Sequence, residues 1–397
     1  MLQLIIFFMK WCSVPAIGVA LLLTMCSPKP SESSDGDLVV LDVKQLQSLP
    51  VEEFDFATNP AIASVEYFQP HDTIIFPFGL PIIGDSWVAI WHDFALVFDL
   101  KSGRALSFFD RHGQGLEEYV SMAGLAVDTK AQTCNVVTSD FPTKIKTYSF
   151  GGDYLGEIVI PDKIYTGSQT FKLLNDSCYF VEQSSIRRVL SGKNDDPLDA
   201  RPYLLINRRT GDVTQLPVER LDPKICERYV PKVTDGYTWN YKVSITNVHG
   251  GEDGIIISEF SNDTIFALRD EHVEPIAVKK NWSKDYDEPD LLSVLYSGSR
   301  YMIFELVRKQ TNHPAETVDV NQSKSGTFVY DRERKEFHRY NNPEWFESNG
   351  HFYALTPVYK LMDDAESGVI TDSRLLDIVN KSNIESNFVW TLYNIAR

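Results

Sequence analysis

The architecture turns on DRHGQGLEEYVSMAGLAVD, residues 110–128, where two glycines one residue apart follow the apolar run ALSFF. A dinucleotide-binding turn needs a third glycine and a helix N-terminus to receive the phosphate. Here Glu118 occupies the third position, and Glu117 beside it would repel an anion. Gly113 and Gly115 are expected instead at the point where the chain, having finished an outer hairpin, turns inward, a place that favours positive φ. SMAGLAVD, 121–128, then gathers Ala123, Gly124 and Ala126 into one short run, as a strand crowding an axis requires.

The same alternation of tight turn and strand-like run recurs along the chain. Turn signals stand at Gly84-Asp85-Ser86, Asp128-Thr129-Lys130, Asn175-Asp176-Ser177, His249-Gly250-Gly251, Ser297-Gly298-Ser299 and Ser348-Asn349-Gly350, followed by WVAIW, CNVVT, CYFVE, GIIIS, YMIFELV and HFYAL. These runs are rich in the β-branched and aromatic residues that suit a pleated surface. Second hairpins follow from residues 94, 144, 202, 263 and 326, each with a polar turn between apolar or alternating flanks. The sixth unit has only FVWTLYNI from 388, while ASVEYFQ from 63 has no partner of its own, so each completes the other. Four strands repeated six times define an all-β, six-bladed β-propeller of antiparallel blades, the ring closed by N- and C-terminal strands. A pair of β-sandwich domains would require a composition break near the middle, and none is visible.

With 397 residues, 43% of them hydrophobic, the chain can bury a sizeable core. Its 38 basic and 55 acidic side chains sum to −17, which disfavours nucleic acid and anionic membrane surfaces as partners. Lys10 is the only charge before Cys26, and the apolar stretch from Val14 to Leu23 reads as a signal peptide. A retained membrane helix is opposed by Lys10, Pro15 and the polar tail. Met9-Lys10 offers an alternative start with a short basic opening. The cysteines beyond Cys26 are Cys134, Cys178 and Cys226; the first two hold matching places in apolar runs and read as small buried side chains.

Several motifs carry a resemblance. Leu23-Thr24-Met25-Cys26 resembles a bacterial lipoprotein signal, which implies that residues 1–25 are removed, that Cys26 is lipidated, and that 26–37 form a polar tether to a single propeller domain, 38–397. HGQGLEEY, 112–119, resembles the Gly-x-Gly-Pro-Gly-Glu-Tyr connector of six-bladed, TolB-like propeller lipoproteins of Bacteroidota. Ser261-Asn262-Asp263-Thr264-Ile265-Phe266, Asn349-Gly350-His351-Phe352-Tyr353 and Ser386-Asn387-Phe388-Val389-Trp390 are similar to further strands of that group. Leu116, Glu117 and Phe388 depart from its pattern. The resemblance implies a Gram-negative cell-envelope protein, lipid-anchored, with the periplasmic and surface sides both open, and it brings no catalytic residues.

Gly84-Asp85-Ser86 has the letters of a hydrolase nucleophile, but no Asp-x-x-His accompanies it and a hairpin turn explains it. Arg111, His112, Glu118 and Tyr119 flank the connector glycines and are candidates for a channel mouth, where propellers bind ligands. In YTWNYK, Tyr237, Trp239 and Tyr241 fall on one face of an extended strand, a row able to stack on a sugar or peptide, against the simpler reading of core packing. No metal-ligand spacing or cofactor motif is present. The resulting expectation is a non-enzymatic envelope scaffold that binds a protein partner or glycan through the propeller face and meets the membrane only through its lipid. The alternative is a metal-dependent hydrolase, lactonase or lyase with a divalent cation in the central channel.

Overall fold

A computed structural model of the chain describes residues 38–70, 81–139, 142–161, 166–183, 201–222, 227–234, 237–244, 248–252, 254–284, 290–308, 324–341, 343–383 and 388–397. Two units are present, Met1–Leu38 and Val39–Arg397. The apolar leader, Cys26, residues 27–37, Cys226 and most of the long polar segment after Arg308 lie outside the described residues.

The second unit is a six-bladed propeller of antiparallel four-stranded blades. From axis to rim, blade 1 holds Ile82–Ile83, Trp87–Trp91, Ala95–Asp99 and Ala105–Phe109; blade 2 holds Met122–Asp128, Thr133–Thr138, Lys144–Ser149 and Tyr154–Val159. Blade 3 holds Thr166–Leu173, Cys178–Gln183, Tyr203–Asn207 and Val213–Gln215; blade 4 holds Val248–His249, Ile255–Ile257, Thr264–Arg269 and His272–Lys280. Blade 5 holds Asp290–Ser297, Tyr301–Arg308, Lys324–Asp331 and Glu336–Tyr340. Blade 6 takes Phe346–Ser348, His351–Thr356 and Val389–Ile395 from the C-terminal region and its rim strand, Ile62–Phe68, from the N-terminal region. All six inner turns and all five outer hairpins stand where the turn signals place them.

Each pair of neighbouring blades is joined by its own apolar cluster. Ala89 and Val97 of blade 1 meet Leu125, Val136 and Tyr148 of blade 2. Val137 and Ile145 then meet Phe171 and Tyr179, and Phe180 and Leu205 meet Ile257 and Leu268. Gly124 lets the second of these seams close tightly, since a Cβ there would lie 3.0 Å from that of Phe171. The ring closes when Val88, Ile90 and Phe98 of blade 1 pack on Tyr353, Trp390 and Leu392 of blade 6.

Two features go beyond the alternating pattern. First, the N-terminal chain is a strap as well as a closing strand. Val39–Asp42 adds parallel to the rim strand of blade 4, helix α1 (Val43–Ser48) buries Val43 and Leu46 in the blade 4–5 seam, and Val51–Glu52 adds parallel to the rim strand of blade 5. Blades 4 and 5 therefore carry a fifth strand. Secondly, blade 6 interrupts its last hairpin with helices α2 (Val358–Glu366) and α3 (Ser373–Lys381). Gly368, at φ 72°, lets the chain leave α2, and Asp372 caps α3 by accepting the Arg374 N–H at 2.8 Å. Val358, Leu361 and Val379 pack with Val389, so the insertion sits against the strand that closes the ring.

Removal of residues 386–397 should open the ring, because it deletes the strand paired with both His351–Thr356 and Ile62–Phe68. Aggregation or a fall of well over 10 °C in melting temperature is expected, given that one large buried aromatic such as Trp390 is itself worth about 3–5 kcal/mol. A soluble truncation that melts within a few degrees of the full chain would refute closure through this strand.

Candidate functional site

The connector that links blades 1 and 2 is a closed hydrogen-bonded loop. Gly113 N–H donates to the Tyr119 carbonyl and Tyr119 N–H to that of Arg111, both at 3.0 Å. Arg111 donates from Nε and Nη2 to the Gly152 carbonyl at 3.2 and 2.9 Å, which fixes the loop to the outer turn of blade 2. Tyr119 is fully buried and donates to the Asp93 carbonyl at 2.9 Å; burial pushes its hydroxyl up to about 12. Glu118 accepts the Gly115 N–H at 2.8 Å and lines a cleft of about 540 Å³ with Leu116, Ser139, Lys144 and Lys146. His112 is exposed. Neither Gly113 nor Gly115 has positive φ, contrary to expectation. A side chain at 113 would displace the Glu118 carboxylate, so proximity to that group, and not backbone hand, is what glycine accommodates here.

Tyr237, Trp239 and Tyr241 belong to Tyr237–Ser244, which pairs with Glu227–Thr234 in a two-stranded ribbon separate from the six blade sheets. In that ladder Tyr237 pairs with Thr234, Trp239 with Lys232 and Tyr241 with Val230. Cys134 and Cys178 are buried free thiols, and burial pushes Cys134 up to about 12, so it is an inert filler rather than a reactive group.

Motif reasoning missed a second constellation, which forms where the inner strands converge. His249 ends the inner strand of blade 4, Ser293 lies in that of blade 5 and Glu347 in that of blade 6. His249 Nδ1 is 2.5 Å from Glu347 Oε2, and its Nε2 is 2.9 Å from Ser293 Oγ. The other carboxylate oxygen of Glu347 accepts the Gly350 N–H at 2.6 Å. Lys172, from the inner strand of blade 3, donates to Asn349 Oδ1 at 2.6 Å. Asn349 also donates to the Ile83 carbonyl of blade 1 at 3.2 Å, so the turn at 348–350 reaches across the ring. Glycine is obligatory in this crossing: a Cβ on Gly250 would strike the Asn349 carbonyl group, and one on Gly350, at φ 81°, would lie 2.7 Å from the Gly250 carbonyl carbon.

Burial works to raise the Glu347 carboxyl, but the charges of His249 and Lys172 and the hydrogen bonds from His249 and Gly350 outweigh it and hold it below the usual carboxylate value. Burial alone pulls the Lys172 ammonium down, against the pull of Glu347. The cluster therefore keeps an ionised carboxylate beside an imidazole whose second nitrogen faces a hydroxyl. A neighbouring network lies in the blade 3–4 seam, where Arg220 bridges Glu182 at 2.8 Å and Glu259 at 3.0 Å, and Tyr203 donates to Glu259 at 2.7 Å. Among the described residues no group of three His, Cys, Asp or Glu side chains is placed to hold a metal ion. The visible sequence signal for the axial cluster was the polar residue at or beside each inner turn, His249 before Gly250-Gly251 and Glu347 before Ser348-Asn349-Gly350.

These features define the class: the chain is a six-bladed β-propeller with polar side chains gathered at its axis. Residues 91–195 match a family model described as a 6-bladed beta-propeller. Among solved structures, a putative exported protein from Bacteroides fragilis is similar over 91% of this chain and 100% of its own, with 13% identity and a TM-score of 0.56, a likeness of fold. A member of the duf4221 family from Bacteroides vulgatus is similar over 85% and 98% respectively, with 13% identity and a TM-score of 0.46. BamB from Moraxella catarrhalis is similar over 72% and 75%, with 8% identity and a TM-score of 0.36. No curated protein matches the chain.

Glu347→Gln should destabilise the propeller by about 3 kcal/mol at neutral pH, because it leaves His249 and Lys172 without their buried counter-charge. A carboxyl whose folded pKa is depressed contributes stability above its unfolded value near 4.5, and loses it as pH falls through the lower folded value. The melting-temperature gap between wild type and variant should therefore be full at pH 6–7 and shrink below about pH 4.5. A gap that is constant down to pH 3 would show that the carboxylate is not held by this cluster.

Proposed function

We propose that the chain is an exported binding scaffold of the Gram-negative cell envelope, held at a membrane by lipid on Cys26 and presenting its propeller face to a protein or glycan. The observation that carries the binding role is the ribbon of 227–234 and 237–244, a pair of strands that completes no blade and carries Tyr237, Trp239 and Tyr241 at alternating positions. An aromatic row of this kind stacks on the apolar faces of sugars or on peptide side chains at small entropic cost. Support for export comes from the charge-poor apolar leader, the Leu23-Thr24-Met25-Cys26 sequence and the fold shared with a protein described as exported. Among the described residues no helix is long and apolar enough to cross a membrane. The lipoprotein and TolB-like readings rest on sequence resemblance.

The triple substitution Tyr237→Ala, Trp239→Ala, Tyr241→Ala tests the binding surface. Against a panel of envelope glycans and peptides, the wild-type protein should bind a ligand that the variant binds at least about 30-fold more weakly, the loss of a hot-spot residue or more. An unchanged melting temperature would assign the loss to the surface. Equal binding by both proteins, or no ligand on the panel, would overturn this reading.

The anchor has its own test. Cys26→Ala should abolish incorporation of radiolabelled palmitate and move the protein from the membrane to the soluble fraction with the propeller still folded, because the lipid is chemically separate from the core. Retention of the variant in the membrane pellet after signal cleavage would exclude lipid on Cys26 as the anchor.

A further inference from the structure

We propose that Ser293, His249 and Glu347 form a nucleophilic triad at the axis of the propeller, acting on small esters and other activated acyl compounds. A serine hydroxyl is a weak nucleophile until a base stands ready to take its proton, and the base must be held in one tautomer by a third group. The contacts supply both the base and the group that orients it. His249 Nδ1 lies 2.5 Å from Glu347 and Nε2 2.9 Å from Ser293 Oγ, so in the neutral ring the proton belongs on Nδ1, beside the carboxylate, and the Nε2 lone pair faces the hydroxyl. The carboxylate is itself oriented by the Gly350 N–H on its other oxygen. Ser293 and His249 are each only 7% exposed, so the relay is largely shielded from bulk water, where such interactions are strongest.

A purely architectural ion pair explains less of this geometry. In an ion pair the ring would be charged and Ser293 would accept from Nε2–H, whereas in the triad Ser293 donates to Nε2. A hydroxyl on Nε2, with the carboxylate on Nδ1, is the arrangement that activates oxygen. The three residues come from consecutive blades, so their assembly depends on the ring rather than on any local motif.

The reaction that follows is acyl transfer to water. Ser293 Oγ attacks the carbonyl carbon as its proton passes to His249 Nε2. The tetrahedral adduct collapses with cleavage of the bond to the leaving oxygen, which departs as the alcohol with the proton from His249. Water then adds to the acyl-serine, gives one proton to His249 and releases the carboxylic acid, and His249 returns that proton to Ser293. No oxidant or reductant is required.

This inference is independent of the ribbon and is tested on the mature protein with a fluorophosphonate probe, followed by digestion and mass mapping, alongside hydrolysis of p-nitrophenyl acetate. A single adduct is expected on Ser293, formed faster as pH rises from 5 to 8, absent in Ser293→Ala and at least tenfold slower in His249→Gln. Ester hydrolysis should fall in parallel. Ser293→Ala removes one oxygen, and its melting temperature checks the fold; should it fail to fold, the wild-type adduct map decides the question unaided. Absence of an adduct above a heat-denatured control, an adduct elsewhere in the chain, or undiminished labelling of Ser293→Ala would each overturn the proposal.

Discussion

Trp390 stands opposite Phe68 in the ladder that joins the C-terminal strand of blade 6 to the N-terminal strand at its rim, and the register runs on to Ile395 opposite Ile62. Every other seam of the ring lies between blades that follow one another in the chain, with the strap added to two of them. This one brings the two ends of the domain together, and without it Val88, Ile90 and Phe98 of blade 1 would face no partner. A propeller has no terminal unit with a polar outer face, so a missing blade edge exposes apolar surface on two sides at once. The strap reinforces the same point of weakness. Before reaching blade 6 the N-terminal chain has already contributed Val39, Leu41 and Val43 to the blade 4–5 seam and Phe54 to the blade 5–6 seam, so the closing strand is held by contacts made upstream of it.

Closure also explains how polar groups come to be buried at the axis. Six inner strands converge, and the turns at 249–251 and 348–350 meet across the ring with only glycine hydrogens between their backbones. Polar side chains placed there lose water whatever they do, and they persist because each finds a partner on another blade. The Arg220 network in the blade 3–4 seam obeys the same rule. Burial pushes Glu182 up, whereas for Glu259 the charge of Arg220 and the hydrogen bonds from Tyr203, Arg220 and Ser261 overcome burial and hold it low. Such pairs add less stability than apolar residues of equal volume would, but a wrong register strands a charge, which penalises misassembled rings.

What the sequence revealed and what it hid divide along the distance between interacting residues. Gly84-Asp85-Ser86 or Asn175-Asp176-Ser177 sets a turn by local chemistry, and the flanking β-branched runs pair with their immediate neighbours, so blade number and strand order were readable. The strap was not, because Val39–Asp42 pairs in parallel with residues 277–280 and has no hairpin turn to announce it. Helices α2 and α3 carried ordinary signals, Gly368 after one and Asp372 before the other, but they fill an interval between HFYAL and FVWTLYNI to which the repeat assigned no element. The meeting of Ser293, His249 and Glu347 was hidden for a stronger reason. Its members are 44 and 54 residues apart in order along the chain, and no spacing rule relates positions that only a ring brings together.

The contrast between the two buried networks bears on what the axial one is for. In the blade 3–4 seam two carboxylates face one guanidinium and a tyrosine, a set whose every contact reduces the cost of burying charge. At the axis, Glu347 lies near the charge of Lys172 and is hydrogen-bonded by the Gly350 N–H and by His249 Nδ1, and the second ring nitrogen of His249 meets the hydroxyl of Ser293. A hydroxyl is the group that gains reactivity from an imidazole so placed, and an imidazole gains a fixed tautomer from a carboxylate so placed. The seam network can be understood from assembly alone. The axial one also sets a hydroxyl within hydrogen-bond reach of an imidazole nitrogen, and it lies where the side chains of several blades converge.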